Sequence, residues 1–441
     1  MADIDVARDA VEYALAAGAS DADATTVTLE RFRTEARDRK VTKLEESIGR
    51  SMTVRAFVEG RKATFSTSDF SREGLREFVR ATVDAAHFVV ADPLAGPPDS
   101  VVDPAPLDLQ IYSEDVRRRD NEAKLEDARA LEAIGRAFDP RITLTNGSNV
   151  ADGAATITLV TSRGFCGSYQ ASSASRSANL IATEGDRKRS GSYGSAARSY
   201  AGLETVEFVA QLAARRAVEQ CGARKPATLR CPVIFERDVA AHVLADVFGA
   251  VNAANVAVGN SYLLGKVGSK VGSDLVTIID DGRRPKGMAT APFDSEGVPT
   301  QRTVVFERGV LETFLYDTYY GRKLAAASTG NASDGGIVAR NFHLAAGTQS
   351  LEQLIATTSR GVLVIETIGF STESVTGTYS RGARGFMIEG GELAYPIDEF
   401  TIAGNLAEML GSIDAVADDL RFDAGVVSPS FRVAEMTVSG N

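Results

Sequence analysis

Histidine is scarce: His87, His242 and His343 are the three in 441 residues. Few imidazoles are therefore at hand to serve as the base for a serine or cysteine nucleophile. Cysteine is equally rare. Cys166, Cys221 and Cys231 stand at unrelated spacings with no C-x-x-C, which argues against a disulfide framework and fits a reducing cytosol. Tryptophan is absent, and nothing follows from that. No apolar run approaches about 18 residues, so no membrane span is expected. The stretch after Met1, "ADIDVARDAVEYALAAGAS", is acidic and amphipathic and lacks the marks of a signal peptide. A cytoplasmic location is expected. Positive charge is in deficit, with 48 Lys and Arg against 59 Asp and Glu and a formal net charge of −11. Direct binding to nucleic acid or to an anionic membrane is disfavoured, because phosphate recognition needs clustered Lys and Arg. The basic runs "RDRK" (37–40) and "RKR" (187–189) are short, flanked by acids, and read as solvated turns.

Common catalytic signatures are missing too. There is no G-x-x-x-x-G-K-[ST], and no G-x-G-x-x-G between a strand and a helix. "SYGSA" (192–196) is not G-x-S-x-G. Cys166, in "RGFCGSY", has no evident histidine partner and reads as a small buried core thiol. His87, on a helix tail, and His343, in a strand, read as structural.

What is present is a globular composition, 44% hydrophobic and 24% charged, in a chain long enough for two domains. A helix is expected over 4–18, strands over 25–37 and 51–67 with a hairpin at Glu59-Gly60, and a helix over 72–89. A Pro-rich connector (92–108) leads to a charged helix over 113–138. A β block follows over 142–200, then a helix over 203–222. The Ser/Ala/Gly richness of 167–200 suggests either a linker or long polar strands, and its alternation favours strands. "GARKPATLR" (222–230) marks a boundary, giving domains 1–225 and 226–441. The second half reads as strand "LRCPVIF", a helix containing His242, then strands over 273–282, 302–320 and 337–347. A helix over 350–359, a strand over 361–370, a hairpin over 382–404 turning at 389–391, a helix near 405–420 and a strand over 430–440 complete it. The expected fold class is α+β: two domains on mainly antiparallel sheets flanked by helices.

One constellation invites chemistry. Asp238, His242 and Asp246 fall at i, i+4 and i+8 along one side of a helix. Two carboxylates and an imidazole could hold a hard cation. Zinc hydrolases, however, take two histidines from one helix and add a glutamate to activate water. The alternative is a histidine that trades hydrogen bonds with its carboxylate neighbours beside the Val239/Val243/Val247 stripe.

Four stretches point to a family: "GKVGSKVGSDLVTIIDDG" (265–282), "APFDSEGVPTQRT" (291–303), "RGVLVIETIGFSTESVTGTYSRGARGF" (360–386) and "ELAYPIDEFTIAGNLAEML" (392–410). They resemble the PmbA/TldD family, the modulators of DNA gyrase or TldD/TldE metallopeptidases. The resemblance implies a cytosolic complex of two kinds of subunit. The TldD-like kind carries H-E-x-x-x-H on a helix and a cysteine near the C-terminus as zinc ligands; the PmbA/TldE-like kind lacks them. Here the box falls on Leu244–Ala250, with Ala245 and Ala250 at the histidine positions and Asp246 at the glutamate. Sliding the frame to "RDVAAH" makes His242 the second histidine and Arg237 the first, and a guanidinium cannot coordinate metal. No cysteine follows Cys231. The expectation is a PmbA/TldE-like subunit with no metal and no catalytic residue of its own. It would pair with a zinc-bearing TldD-like subunit, or with itself, and act on unfolded peptides, which edge strands could hold by strand addition. The loop Thr376–Gly385 supplies candidate substrate or partner contacts in Tyr379, Ser380, Arg381 and Gly382. Two alternatives stand beside this one: a lone hydrolase using Asp238/His242/Asp246, and a non-enzymatic modulator or scaffold of gyrase or of a toxin–antitoxin system.

Overall fold

Two tight turns shape the start of the chain. The computed structural model describes residues 2–369 and 372–440. After helix α1 (Asp3–Ala16), strand β1 (Asp21–Arg37) reverses into β2 (Lys40–Val58) through Asp38 and Arg39. Strand β2 then reverses into β3 (Arg61–Thr67) through Glu59 and Gly60. All four turn residues have positive φ, from 48° to 75°, the two-residue geometry whose twist matches the flanking strands. The "RDRK" run and Glu59-Gly60 are thus turns, as expected. The alternation pattern missed the first part of β2, which begins at Lys40 rather than Ser51.

Helix α2 (Arg72–Ala86) follows, with the Ser71 hydroxyl accepting from Gly74 N at its start. The helix expected over 113–138 is broken: α3 (Asp115–Arg118) ends at an extended Arg119, and α4 (Asn121–Ala137) restarts beyond Asp120. Strands β4 (Ile142–Thr161), β5 (Cys166–Glu184) and β6 (Arg187–Ala197) complete a six-stranded antiparallel sheet in the order β3-β2-β1-β4-β5-β6. The Ser/Ala/Gly-rich stretch is strand, and its small side chains serve packing. Ala174, Ala178 and Ala182 bury against Ala210, Ala213 and Ala217 of α5 (Val206–Glu219). A Cβ on Gly191 would stand 2.2 Å from Ala217 N and 2.4 Å from Ala213 O, so the helix lies at a distance only glycine permits.

From β7 (Leu229–Phe235) the chain enters α6 (Arg237–Val251) and α7 (Ala253–Ala257). Strands β8 (Ile278–Asp281), β9 (Arg302–Glu307) and β10 (Val310–Leu311) precede α8 (Thr318–Lys323) and the small pair β11 (Ala332–Ser333) and β12 (Gly336–Ile337). Then come β13 (Phe342–Leu344), α9 (Leu351–Ala356), β14 (Arg360–Ile368), β15 (Thr378–Glu389), β16 (Glu392–Asn405) and α10 (Leu406–Gly411). Strands β17 (Ile413–Val416), β18 (Val426–Val427) and β19 (Phe431–Ser439) end it.

One sheet runs β16-β15-β14-β7-β19-β17, and β16 also pairs with β19, so the sheet curls on itself. A second runs β10-β9-β8-β13-β18. Their pairings are antiparallel except β7 with β14 and β13 with β18. Helix α6 buries Val239, Val243, Leu244 and Val247 in one core with Phe235, Phe306, Phe342 and Phe431. The fold class is α+β with antiparallel sheets dominant, as expected.

Three expectations in this half need correction. The helix near 405–420 is only α10, because Gly411 ends it and the alternating Ile413–Val416 pairs with β19. The strand over 302–320 is the β9–β10 hairpin, turning at Arg308-Gly309, followed by α8, which the Asp317 carboxylate caps by accepting from Tyr320 N. The strand over 337–347 is limited to Gly336–Ile337 and Phe342–Leu344. The strand expected over 361–370 is seen as far as Ile368, and its last residue, Phe370, lies outside the described residues.

Candidate functional site

Helix α6 starts at a buried acid. The Glu236 carboxylate caps it by accepting from Asp238 N at 3.0 Å and pairs with Arg216 at 3.1 Å. Burial, with the charge of Asp238 behind it, pushes the Glu236 carboxyl up to about 7. The apolar side of α6 faces the core, and Asp238, His242, Ala245 and Asp246 share the other side, as the spacing implied.

Their partners are not the ones expected. Asp238 pairs with Arg216 at 3.0 Å. His242 Nδ1 lies 3.4 Å from the Thr367 hydroxyl on β14, and neither aspartate bonds to it. Asp246 Oδ2 accepts from Arg381 Nη2 at 2.7 Å and from the Thr372 hydroxyl at 3.0 Å. The local histidine–carboxylate exchange is therefore replaced by three separate contacts across the fold. Burial raises the Asp246 carboxyl above its ordinary value, against the lowering pull of Arg381 and Thr372. The Tyr262 and Tyr379 hydroxyls are buried near Asp246 without a hydrogen-bond partner among the described residues. Burial raises both phenols, and the charge of Asp246 adds to it.

The stretch Thr376–Gly385, expected as a loop, is strand from Thr378 onward, paired with β14 on one side and β16 on the other. Alternation turns Tyr379 and Arg381 inward, 1% and 7% exposed, and Arg381 meets Asp246 rather than solvent. Ser380 and Gly382 point to the opposite face and are half-buried. Two further positions differ from expectation or confirm it. Cys166 is exposed at the first residue of β5, not a core thiol. His343 is structural: buried, Nδ1 2.8 Å from the Asn341 carbonyl, its ring against Phe422.

The donor set on α6 does not fit zinc. Ala245 is an exposed methyl, Leu244 and Ala250 are buried and apolar, and Asp246 is held by a guanidinium. Among the described residues no three His, Cys, Asp or Glu side chains converge. A cavity of about 320 Å³ opens beside this face, between Arg237, His242 and Ala245 of the helix and Arg421 and Asp423 opposite. Also among the described residues, no helix is long and apolar enough to cross a membrane.

Comparison with known proteins covers nearly the whole chain. It matches the PmbA/TldA metallopeptidase C-terminal domain over residues 228–440, the central domain over 114–220 and domain 1 over 27–86. Metalloprotease PmbA of Escherichia coli O157:H7 is 32% identical over 441 residues, 99% of this chain and 96% of that protein. The chain belongs to the PmbA/TldD metallopeptidase family. Among solved structures of the family, a candidate modulator of DNA gyrase from Bacteroides thetaiotaomicron superposes with a TM-score of 0.93 at 26% identity, covering 99% of this chain and 98% of that one. TldE from Thermococcus kodakarensis shares the fold with a TM-score of 0.90 at 19% identity, covering 99% of this chain and 100% of that one.

Within the PmbA/TldD frame, several members of the site were not legible in the sequence. Arg381 stood out only as a substrate or partner contact, and Tyr262, Thr367 and Thr372 did not stand out at all. Thr367 and Arg381 reach α6 because β14 and β15 lie against it, Tyr262 and Thr372 come from the segments after α7 and between those strands, and no local spacing signals either.

Proposed function

We propose that this chain is the zinc-free, PmbA/TldE-like subunit of a two-subunit cytoplasmic metallopeptidase. Its partner is a TldD-like subunit that carries the zinc, and the pair encloses unfolded peptides for cleavage. The observation that carries this reading is the Asp246–Arg381 pair. At the position where the family resemblance puts the water-activating acid, the carboxylate is tied to a permanent cation, and methyl groups flank it in place of imidazoles. Full-length likeness to PmbA supports the same assignment. Tyr379 and Arg381 then act as positioning residues for Asp246 rather than as peptide contacts.

The test compares hydrolysis of an unfolded protein substrate by this chain, by a TldD-like subunit and by both together. Chelator-sensitive cleavage is expected only with the TldD-like subunit present, and faster with the pair. Chelator-insensitive cleavage by this chain alone would overturn the reading, as would failure of the two to associate at about micromolar concentration, where a standard interface is stable. A lone hydrolase built on Asp238, His242 and Asp246 has no support from the geometry, because the three side chains bond elsewhere.

A further inference from the structure

Next to the cavity beside α6 lies a larger one of about 670 Å³, and Arg421 and Asp423 line both. Four cations border the larger cavity, Arg198, Arg284, Lys286 and Arg421, against two acids, Glu204 and Asp423. Their partners sort the cations into two kinds. Arg421 is neutralised: it lies 3.0 Å from Asp423 and 3.8 Å from Glu204, and donates to the Tyr193 hydroxyl. Arg198 is spent on structure, donating to the carbonyls of Gly287, Met288 and Thr290 and so pinning the loop around residues 284–290. Arg284 and Lys286 remain, and neither makes an ion pair among the described residues. Asp281 acts on Arg284 through space from beyond ion-pair distance.

Arg284 is held at its guanidinium and Lys286 at its backbone. The Arg284 guanidinium lies over the Phe422 ring, 3.4 Å from its centre, which fixes the plane of the cation and leaves its N–H edge unspent. Lys286 is fixed through its backbone. It sits at φ 62°, a region that non-glycine residues rarely adopt, and its N–H donates to the Leu109 carbonyl at 2.9 Å. The next residue on that facing segment, Gln110, also lines the cavity and also has positive φ, 50°. Two left-handed residues on adjoining rims, in a loop locked by Arg198, is the kind of strain that persists where a surface is shaped for a ligand.

We propose that Arg284 and Lys286 anchor a carboxylate of an acidic residue in an extended peptide whose chain continues along the cavity beside α6. This rests on the peptide-handling role proposed above. A planar guanidinium fork matches a carboxylate in two parallel hydrogen bonds, and the ammonium adds a third donor. Of the four cations lining this cavity two are unspent, in a chain of net charge −11, which suits one carboxylate and repels a polyanion such as nucleic acid. The adjacency of the two cavities, which share Arg421 and Asp423, suits a polypeptide more than a free ion.

Binding of two labelled unstructured peptides tests this. One carries Asp and Glu at intervals, and the other has Asn and Gln at the same positions. Each is titrated by fluorescence anisotropy against the full chain, alone and with a TldD-like subunit. The acidic peptide is expected to bind about tenfold more tightly, a preference that salt weakens. Arg284→Gln with Lys286→Gln should reduce it to the affinity of the amide peptide and leave the amide peptide unchanged. Lys286 is exposed and Arg284 half-buried against Phe422, and an unchanged melting temperature checks that the variant folds. Equal binding of the two peptides would overturn this inference and leave the peptide reading standing. Binding of neither peptide to the chain or to the pair would overturn both. Displacement of the acidic peptide by inorganic phosphate at micromolar concentration would make the site a phosphate site instead.

Discussion

Arg381 on β15 donates to Asp246 on α6 across 135 residues of sequence, at 2.7 Å, with both side chains largely shielded from water. The contact joins the family's expected acid position to the strand beside it, and its removal should be costly. Arg381→Ala would leave a buried carboxylate without its cation, and a loss of about 3 kcal/mol is expected. Asp246→Asn should cost less, because an amide keeps hydrogen bonds to Arg381 and Thr372. Urea unfolding of both variants and the double variant checks this; additive losses would show that the two residues are uncoupled.

His242→Ala should change stability by about 0–1 kcal/mol, since its hydrogen bond to Thr367 is long and at the surface. Zinc content of the purified chain should be well below one equivalent in both forms. Stoichiometric zinc by elemental analysis, lost in the variant, would reinstate a metal site on α6.

Glu236 gives the protein a pH signature. Its carboxyl is raised from 4.5 to about 7 by burial, so between those values the folded state holds a proton that the unfolded state releases. More protons bound when folded means that this contribution to stability is present at low pH and is lost as pH rises from about 4.5 through 7. Glu236→Gln removes the titration and keeps an acceptor for the helix start. The stability of the native protein relative to this variant should therefore fall across that window. A difference that stays flat or grows with pH would contradict the assignment.

Packing in the first sheet is open to a sharp test at two neighbouring glycines. Gly191→Ala drives a methyl into the backbone of α5 at 2.2 Å and should cost about 3 kcal/mol. Gly194→Ala meets nothing nearer than 3.5 Å, at the Ser177 Cβ, and should change stability by about 1 kcal/mol or less. Equal melting temperatures for the two variants would mean that the α5 contact is looser than described.

Local chemistry was enough for the features that depend on neighbours in the chain. Residues 38–39 and 59–60 turn between alternating strands, with Asp38 and Gly60 the residue types that most readily take positive φ. The polar alternation of 166–197 was legible as strand, and the side of α6 that carries Asp238, His242 and Asp246 followed from helical spacing. The family itself was legible in four stretches of the second half.

What the tertiary structure decided is what each of these side chains meets. Spacing placed His242 between two acids, but β14 supplies Thr367 to His242, β15 supplies Arg381 to Asp246, and α5 supplies Arg216 to Asp238. Thr376–Gly385 reads as a glycine-bearing loop in sequence, and pairing on both edges makes it strand from Thr378 onward and turns Tyr379 and Arg381 inward. Residues 413–416 carry a helix-compatible composition, and pairing with β19 overrides it. The partners of His242 and Asp246 come from segments more than a hundred residues away, and periodicity within one segment carries no information about which strand will lie against it.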